Sequence, residues 1–397
     1  MNDLSLFLPC AAGVEGFLAD EVQRVTSVAG ESHRAGVSLR ASWREAMKLN
    51  LHSRVAQRVL VQVAHAPYRT EADVYSAASA VAWELWFTPK DSFKVEITAQ
   101  HSPLKSLNFA ALKVKDAIAD RFREKKGERP DVDTQRPHVR IYAHLTADHV
   151  TLYVDTSGEP LFKRGWREDK GDAPLKETLA AAMIAASGWN ADVPLYDPCC
   201  GSGTIAIEAA HFAMRVAPGI GRHFGFENLL PYEARVWQQL RDEAQAQERA
   251  SPVPIFGSDV AFRMVDFAQR NAERAGVDGA VNLRGGDALQ RMPPADTPGV
   301  MLVNPPYGER IEAAGVAGRE SAQAQDGGEF FAQLASHWKA HYAGWSAWVL
   351  SPDLKLPSRM RLKESRRVPM WNGPIECRLF RFDMVKGSAR GKDAPRP

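Results

Sequence analysis

The segment DPCCGSGT (Asp197–Thr204) joins a short apolar run, VPLYD, to TIAIEAAHFAM, which has the apolar spacing of a helix. Its two glycines allow a sharp bend of the backbone and the close approach of a ligand. The acid at the end of the strand can hold a cationic or hydroxyl group. A Walker A loop would need Gly-Lys-Ser/Thr, which is absent, and a plain dinucleotide loop lacks an acid four residues before its first glycine. The segment therefore predicts a ligand site between a strand and a helix.

Outward from this segment, residues 166–385 alternate short apolar runs with helical patterns. The strand-like runs are VPLYD, VPIFGSD, AVNLRGG, GVMLVN and SAWVLS. This alternation predicts an α/β fold, with a doubly wound and largely parallel sheet. The final segment, SRRVPMWNGPIECRLFRFDMV, carries Asn372–Gly373 between two strand-like runs, which predicts an antiparallel hairpin at the end of the sheet.

Two more acids follow strands of this sheet. Ser258–Asp259 ends the second strand, where an acid can take the ribose hydroxyls of a nucleoside cofactor. About 40 residues between Met214 and Ser251 separate it from the glycine segment, and we interpret them as an insertion. Gly286–Asp287–Ala288 follows the third strand, and its acid could accept a hydrogen bond from an adenine amino group. Either acid alone could equally be a helix cap or a turn residue.

The most specific motif is Asn304-Pro305-Pro306-Tyr307, directly after the run GVMLV. Two prolines lock the backbone and remove two donors, which leaves the Asn304 side-chain oxygen and a proline carbonyl as acceptors. An exocyclic amino group on a base is a poor nucleophile, because its lone pair is delocalised into the ring. Two acceptors on its hydrogens would favour a pyramidal nitrogen, and the ring of Tyr307 could stack on a flipped base. Carbon-5 methylation is disfavoured, because no cysteine stands near this motif.

The amino-terminal part of the chain reads as two smaller α+β units. Residues 1–60 show the order strand, helix, strand, helix, and residues 61–165 contain a strongly patterned helix followed by two strands around a turn. Residues 166–385 form the α/β block, and residues 386–397 read as a disordered tail.

Composition narrows the class of protein. The 397 residues include four cysteines and no C-x-x-C pair, so we expect reduced thiols and no metal site. The first residues do not resemble a signal peptide, and no run approaches the roughly 20 apolar residues of a membrane helix, so we expect a cytoplasmic protein. Residues 355–392 hold 11 Lys/Arg against 3 Asp/Glu, whereas residues 171–354 hold 14 against 22. Such local basic zones fit an enzyme that touches a polyanion.

At this point the chain resembles class I S-adenosylmethionine-dependent methyltransferases that act on amino nitrogens. More closely, it looks like the THUMP-domain RNA methyltransferases, and among them the bacterial enzymes that make N2-methylguanosine in large-subunit (23S) ribosomal RNA. The similar segments are LFLPCAAGVEGFLADEV, SGEPLFKRGWR, APLKETLAAAMI, DPCCGSGTIAIEAA and NPPYGER. The resemblance covers residues 1 to about 385 and implies a Rossmann-like catalytic domain. It also implies a ferredoxin-like unit (1–60) and a THUMP domain (61–165) that bind folded RNA.

The resemblance also implies roles for particular residues. The cofactor S-adenosylmethionine would be held by Asp197, Cys199, Gly201, Gly203, Thr204, Asp259, Val260, Asp287 and Ala288. The glycine segment would surround its methionine part, Asp259 its ribose, and Val260 and Asp287 its adenine. Asn304, Pro305, Pro306 and Tyr307 would form the target-base site. Lys176 departs from the smaller polar residue that we expect there.

Contacts to the RNA partner would come from basic residues, although each of these could equally be a solvated surface residue. The candidates are Lys113, Lys115, Arg121, Arg123, Lys125, Lys126, Arg129, Lys163, Arg164, Arg359, Arg361, Arg366 and Arg367.

The leading hypothesis is guanine-N2 methylation of ribosomal RNA. N6-adenine methylation of RNA or DNA stays open, because the Asn-Pro-Pro-Tyr motif specifies an amino or amide nitrogen and not which one. The amino-terminal region favours folded RNA, since it contains no evident reader of duplex DNA. A non-catalytic RNA-binding protein and a nicotinamide oxidoreductase are further alternatives. The intact glycine segment and the Asn304 motif disfavour the first, and the second has no use for that motif.

Overall fold

The computed structural model describes residues 3–171, 174–305 and 327–385. Contacts divide the chain into two compact units: residues 1–164 with 217–247, and residues 165–216 with 248–397. The segment 217–247, which the sequence prediction left inside the third block, thus groups with the amino-terminal residues. The domain limits at 60, 165 and 385 stay a prediction, and the tail 386–397 lies outside the described residues.

The elements are numbered in chain order. The strands are β1 (Leu4–Pro9), β2 (Glu31–His33), β3 (Gly36–Ala41), β4 (Leu60–Pro67), β5 (Phe93–Ala99), β6 (Val139–Leu145), β7 (His149–Asp155), β8 (Leu195–Asp197), β9 (Ile255–Asp259), β10 (Val281–Gly285), β11 (Val300–Val303), β12 (Ser346–Ser351), β13 (Arg366–Asn372) and β14 (Ile375–Asp383). The helices are α1 (Glu15–Thr26), α2 (Trp43–His52), α3 (Glu71–Ser79), α4 (Leu107–Lys126), α5 (Glu177–Ser187), α6 (Thr204–Ala213), α7 (Ala234–Gln245), α8 (Phe262–Arg274), α9 (Gly327–His341) and α10 (Leu356–Met360). None of these described helices combines the length and the apolar character that crossing a bilayer requires.

The amino-terminal unit contains one seven-stranded sheet in the order β2-β3-β1-β4-β7-β6-β5. Its neighbours are antiparallel except β5 and β6, which are parallel. The pair Leu6↔Val61 joins β1 to β4 and so links the two predicted α+β blocks in a single sheet. Local signals set the helix starts, because Ser42 with Glu45 and Thr70 with Asp73 form capping boxes at α2 and α3.

The segment 217–247 is hydrogen-bonded to, and packs closely against, the residues that follow β7. Arg222 donates to the main-chain carbonyls of Glu159 (2.6 Å) and Pro160 (2.9 Å). Gly158 and Gly225 lie so close that a Cβ on either one would fall within 2.9 Å of the other's main-chain nitrogen. Only glycine allows this approach of two backbones.

The second unit contains a seven-stranded sheet in the order β10-β9-β8-β11-β12-β14-β13. Strands β8 to β12 are parallel, and β14 runs antiparallel to both β12 and β13. The predicted fold class, a Rossmann-like sheet with an antiparallel terminal hairpin, is confirmed. The core on one face of this sheet contains Met301, Val303, Trp338, Val349 and Phe380, each at most 1% exposed.

The last helix of this unit is short. The run PDLKLPSRMRLKES is helical only over α10, with a proline in its first turn. Arg361, at φ +48°, adopts the left-handed conformation and ends it.

The strand order explains where a ligand site can form. Strand β8 lies between β9 and β11, so the direction of winding reverses there. In open parallel sheets, ligands bind at the carboxyl ends of the strands at such a point. Asp197 and Asp259 end two of these strands, and Asn304 directly follows a third.

Candidate active site

A pocket opens at the carboxyl end of β8. The described residues that line it are Gly171, Pro174, Leu175, Asp197, Cys199, Cys200, Gly201, Ser202, Thr204, Ile205, Met264 and Asn304. It therefore brings together the glycine segment and the start of the Asn-Pro-Pro-Tyr motif, which are about 100 residues apart in the chain.

Main-chain hydrogen bonds hold the glycine segment against the end of β9. The amide of Cys200 donates to the Ser258 carbonyl (2.8 Å), and the amide of Gly201 donates to Asp259 Oδ2 (2.9 Å). The amide of Gly203 donates to the Cys200 carbonyl (2.8 Å), which closes a tight turn before α6. The segment is thus a preformed loop, tied to the neighbouring strand.

The loop needs glycine at two positions. Gly201 has φ +52° and Gly203 has φ +88°, a region that side chains disfavour. A Cβ on Gly203 would also lie 3.1 Å from the Cβ of Ala268 on α8. Gly203 therefore sets both the bend and the close packing of α6 on α8.

Asp197 is the buried acid of the pocket. The residue is 2% exposed, and its Oδ1 accepts from the amide of Cys199 at 3.1 Å. Burial raises the pKa of Asp197 well above its ordinary value, and the nearby Asp259 carboxylate adds to this, against the Cys199 hydrogen bond. A cationic partner would restore the ionised form. The position thus favours a positively charged group of a ligand.

Asp259 also serves the loop itself. Its second oxygen, Oδ1, accepts from the amide of Ala261 at 2.9 Å, so both carboxylate oxygens accept hydrogen bonds from main-chain amides. Burial raises the pKa of this acid, while the two backbone amides lower it. The next residue, Val260, is 42% exposed.

Asp287 lies in the turn after β10. Its Oδ1 accepts from the amide of Leu289 (2.9 Å), and the amide of Gly286 donates to the Asp259 carbonyl (3.0 Å). The second of these bonds links the ends of β9 and β10. Six predicted cofactor or substrate residues that the structure describes lie outside the set that lines the pocket: Gly203, Asp259, Val260, Asp287, Ala288 and Pro305. Among them, Asp259 touches the pocket through its bond to Gly201.

Asn304 lines the pocket and carries an acceptor that is unpaired among the described residues. Its Oδ1 is buried, and no described residue donates a hydrogen bond to it. Pro305 is buried beside it. Pro306 and Tyr307 lie outside the described residues. A buried acceptor without a donor costs free energy, so this oxygen is suited to a donor that a ligand brings.

The structure places two thiols in the same pocket as Asn304, which the sequence did not indicate. Burial raises the pKa of both Cys199 and Cys200 well above the ordinary thiol value, and the carboxylate of Asp197 adds to the effect. A thiol with a raised pKa stays protonated and is a weak nucleophile. The argument against carbon-5 methylation thus rests on protonation and not on distance.

One residue behind the glycine loop, Arg167, was not predicted from the sequence. Arg167 donates to Glu177 Oε1 (2.7 Å), Ser202 Oγ (3.0 Å) and Thr204 Oγ1 (2.8 Å). Neither acid–base spacing nor periodicity points to it, although it stands in the quoted junction SGEPLFKRGWR. The neighbouring Lys176 precedes α5, and its side chain forms no cap of that helix.

Two of the basic candidates for RNA contact serve the fold instead. Arg164 is 5% exposed and donates to the carbonyls of Leu161 (2.6 Å) and Arg54 (2.7 Å). Arg121 donates to both carboxylate oxygens of Glu84, at 2.7 and 2.8 Å. We therefore withdraw these two as phosphate contacts, and the remaining candidates stay predictions.

Comparisons with known proteins cover nearly the whole chain. Residues 164–381 match the RMKL-like methyltransferase domain, residues 68–155 the THUMP domain, and residues 5–60 the RlmL ferredoxin-like domain. The chain is 38% identical to ribosomal RNA large subunit methyltransferase K/L of Shewanella pealeana, over 98% of this chain and 54% of that protein. The protein of the same name from Psychromonas ingrahamii is 35% identical over 96% of this chain and 50% of its own length. The chain thus spans about half the length of these curated relatives.

Two solved structures are similar over nearly the full length of the chain. The crystal structure of SMU.472, a methyltransferase complexed with SAH, has a TM-score of 0.87 and 27% identity, and covers 98% of this chain and 100% of that one. A protein named as an N6-adenine-specific DNA methylase, from Listeria monocytogenes, has a TM-score of 0.84 and 29% identity, with 96% of each chain covered. These findings confirm the resemblance inferred from the sequence motifs. Because the methyltransferase model matches more than half of its residues, the chain belongs to the RMKL-like methyltransferase family.

Proposed function

We propose that the protein transfers a methyl group from S-adenosylmethionine to the exocyclic N2 amine of a guanine in large-subunit ribosomal RNA. The observation that carries the proposal is the buried Oδ1 of Asn304, a residue that lines the pocket of the glycine loop, because no described residue donates a hydrogen bond to this oxygen. The names of the curated relatives support the substrate, and the SAH in SMU.472 supports the cofactor.

The pocket residues fit the cofactor. The buried carboxylate of Asp197 favours a cationic group, as the methionine ammonium is, and the loop around Gly201 allows close approach. The acids at the ends of β9 and β10, Asp259 and Asp287, would serve the ribose and the adenine. Val260 and Ala288 would pack near the same rings, and Cys199, Gly203 and Thr204 would complete the loop side of the site.

The cofactor would supply an electrophilic methyl group on a sulfonium, so alignment matters more than a strong base. Asn304 Oδ1 and the carbonyl of Pro305 would accept the two hydrogens of the base amino group and so free its lone pair. Pro306 and Tyr307 would complete this site, with the Tyr307 ring against the base. The thiols of Cys199 and Cys200 would stay protonated and take no covalent part.

The THUMP match and the ferredoxin-like match favour folded RNA as the partner. We propose that the substrate is 23S ribosomal RNA or its assembling particle and that the protein acts in the cytoplasm. The exposed basic residues of α4 would contribute phosphate contacts.

A second candidate is N6-adenine methylation. It is favoured by the name of the Listeria monocytogenes relative and by the fact that the Asn304 motif reads an amino group and not a particular base. A non-catalytic RNA-binding protein would have no use for the intact loop and the unpaired Asn304 oxygen.

The test is transfer of a radiolabelled methyl group to unmodified bacterial ribosomal RNA, followed by digestion to nucleosides and chromatography. Label in N2-methylguanosine is the expected result. Label in N6-methyladenosine would overturn the base assignment and keep the chemistry. Cofactor binding without label in RNA or in assembling particles would contradict the proposed substrate.

A further inference from the structure

Arg167 is a nearly buried cation directly behind the pocket. Its side chain is 12% exposed and donates four hydrogen bonds. The acceptors are Glu177 Oε1 at 2.7 Å, Ser202 Oγ at 3.0 Å, Thr204 Oγ1 at 2.8 Å and the Leu175 carbonyl at 3.2 Å. Three of these four partners, Leu175, Ser202 and Thr204, line the pocket. The guanidinium thus connects the start of α5 to the glycine loop and α6.

The direction of these bonds has a chemical consequence. A guanidinium can only donate, so the hydroxyls of Ser202 and Thr204 must act as acceptors toward Arg167. Each hydroxyl then keeps its own hydrogen for another partner. The two residues are 5% and 4% exposed, and no described residue accepts a hydrogen bond from either hydroxyl. Two buried hydroxyl donors are therefore available where these residues line the pocket.

The same pocket contains a buried acceptor, in addition to these two hydroxyl donors. Asp197 is a carboxylate, and it is 2% exposed. Hydroxyl donors together with a buried carboxylate are complementary to a group that carries both a carboxylate and an ammonium. The free end of an amino acid has this chemistry.

We propose that Arg167 is a positioning residue that makes Ser202 and Thr204 hydrogen-bond donors to the carboxylate of the cofactor's methionine part, while Asp197 takes its ammonium. This inference rests on the proposed use of S-adenosylmethionine and deepens it, since it names the residues that would recognise the amino acid end of the cofactor.

The geometry requires the planar fork of arginine. The guanidinium stacks on the ring of Trp166, with its carbon 5.0 Å from the ring centroid, while it spans Glu177 and two hydroxyls. A lysine carries a compact charge and cannot reach these partners together. Arg167→Lys should therefore behave like Arg167→Ala in ligand selection while keeping the positive charge beside Glu177.

The test compares two ligands by calorimetry: S-adenosylmethionine and its decarboxylated form, which differ only in the carboxylate. We expect Arg167→Lys and Arg167→Ala to lower the affinity for S-adenosylmethionine by roughly 10- to 100-fold, the range expected for a lost hydrogen bond to a charged group. The affinity for the decarboxylated form should change by less than about threefold, because no group that Arg167 organises would contact it.

Equal losses for both ligands would overturn the proposal, because Arg167 would then only support the fold. No loss for either ligand would overturn it too. Wild-type protein that binds neither ligand would instead contradict the proposed function itself, so the two failures are distinguishable.

Variants of the hydroxyls give a second measurement if the Arg167 variants do not fold. Thr204→Val removes the hydroxyl at nearly constant shape and should reproduce the carboxylate-specific loss. Thr204→Ser keeps the hydroxyl and should therefore retain the preference for S-adenosylmethionine over the decarboxylated form. Equal binding of S-adenosylmethionine by Thr204→Val and Thr204→Ser would contradict the assignment.

Discussion

At the scale of single residues, the site depends on a few buried polar atoms whose partners differ in kind. Asp197 has one backbone donor and a raised pKa, Asp259 has two backbone donors, and Asn304 Oδ1 has none among the described residues. A buried acceptor that the fold satisfies serves the fold, whereas one that the fold leaves unsatisfied is available to a ligand. By this criterion Asn304 is the most specific of the three for the substrate.

Asn304→Ala should therefore slow methyl transfer and leave cofactor binding intact. We expect kcat to fall by roughly 10- to 100-fold, the effect of one lost hydrogen bond at the reacting group. Turnover is measured with labelled cofactor, and cofactor affinity by calorimetry. Asn282→Ala, at an exposed position on β10, is the control and should change neither. Unchanged turnover in Asn304→Ala would contradict the role of this residue.

Asp259→Ala should lower the affinity for the cofactor, because the proposed ribose contact is lost together with the hydrogen bonds that Asp259 accepts from the amides of Gly201 and Ala261. We expect a loss of affinity on the order of 10-fold or more. Asp266→Ala removes an acid from the exposed side of the following helix, where it pairs with Arg270, and should have no effect. Equal cofactor affinity of the two variants would show that Asp259 acts only as a cap.

At the scale of elements, the loop and α6 depend on backbone geometry more than on side chains. Gly203 combines a positive φ with close packing against Ala268, so α6 can lie tightly on α8 only with glycine at its start. The β14–β13 hairpin and the short α10 are likewise set locally, by the Asn372–Gly373 turn and by the left-handed Arg361.

Gly203→Ala should lower the free energy of unfolding by about 1–3 kcal/mol, because the new Cβ adds strain at φ +88° and crowds Ala268. Chemical denaturation measures the change. Gly279→Ala is the matched control, since nothing lies within 4 Å of its added Cβ, and it should be neutral or slightly stabilising. Equal stability of the two variants would contradict the strain argument.

At the scale of the whole molecule, the chain passes from the first unit to the second after residue 164, returns at 217 and leaves again after 247. The amino-terminal unit carries most of the basic residues that the sequence proposed for RNA. Several of them are paired with carboxylates, as Arg121 is with Glu84 and Arg123 with Asp120. Others, such as Lys126 and Arg129, are exposed, and no described carboxylate forms an ion pair with them.

RNA affinity should fall steeply with salt if such cations contact phosphates. The double variant Lys126→Ala with Arg129→Ala should reduce the slope of log affinity against log salt by about 0.7–0.9 per lost contact. Arg235→Ala, at an exposed position on α7, is the control and should leave the slope unchanged. Filter binding over a range of salt concentrations measures the slope, and a flat response in the wild type would contradict phosphate contacts altogether.

The sequence alone determined the α/β sheet, its terminal hairpin and the motifs at the strand ends. Those features are encoded locally: apolar periodicity selects strand or helix, glycines permit the loop, and the Asn-Gly turn permits the hairpin. Only the tertiary structure decided that one sheet spans the first 155 residues, that residues 217–247 join them, and that Arg167 lies behind the loop. Each of these depends on partners far apart in the chain, such as Leu6 with Val61 or Arg167 with Thr204. Local spacing does not predict which distant acceptor a donor will contact, so burial and pairing can be determined only from the folded structure.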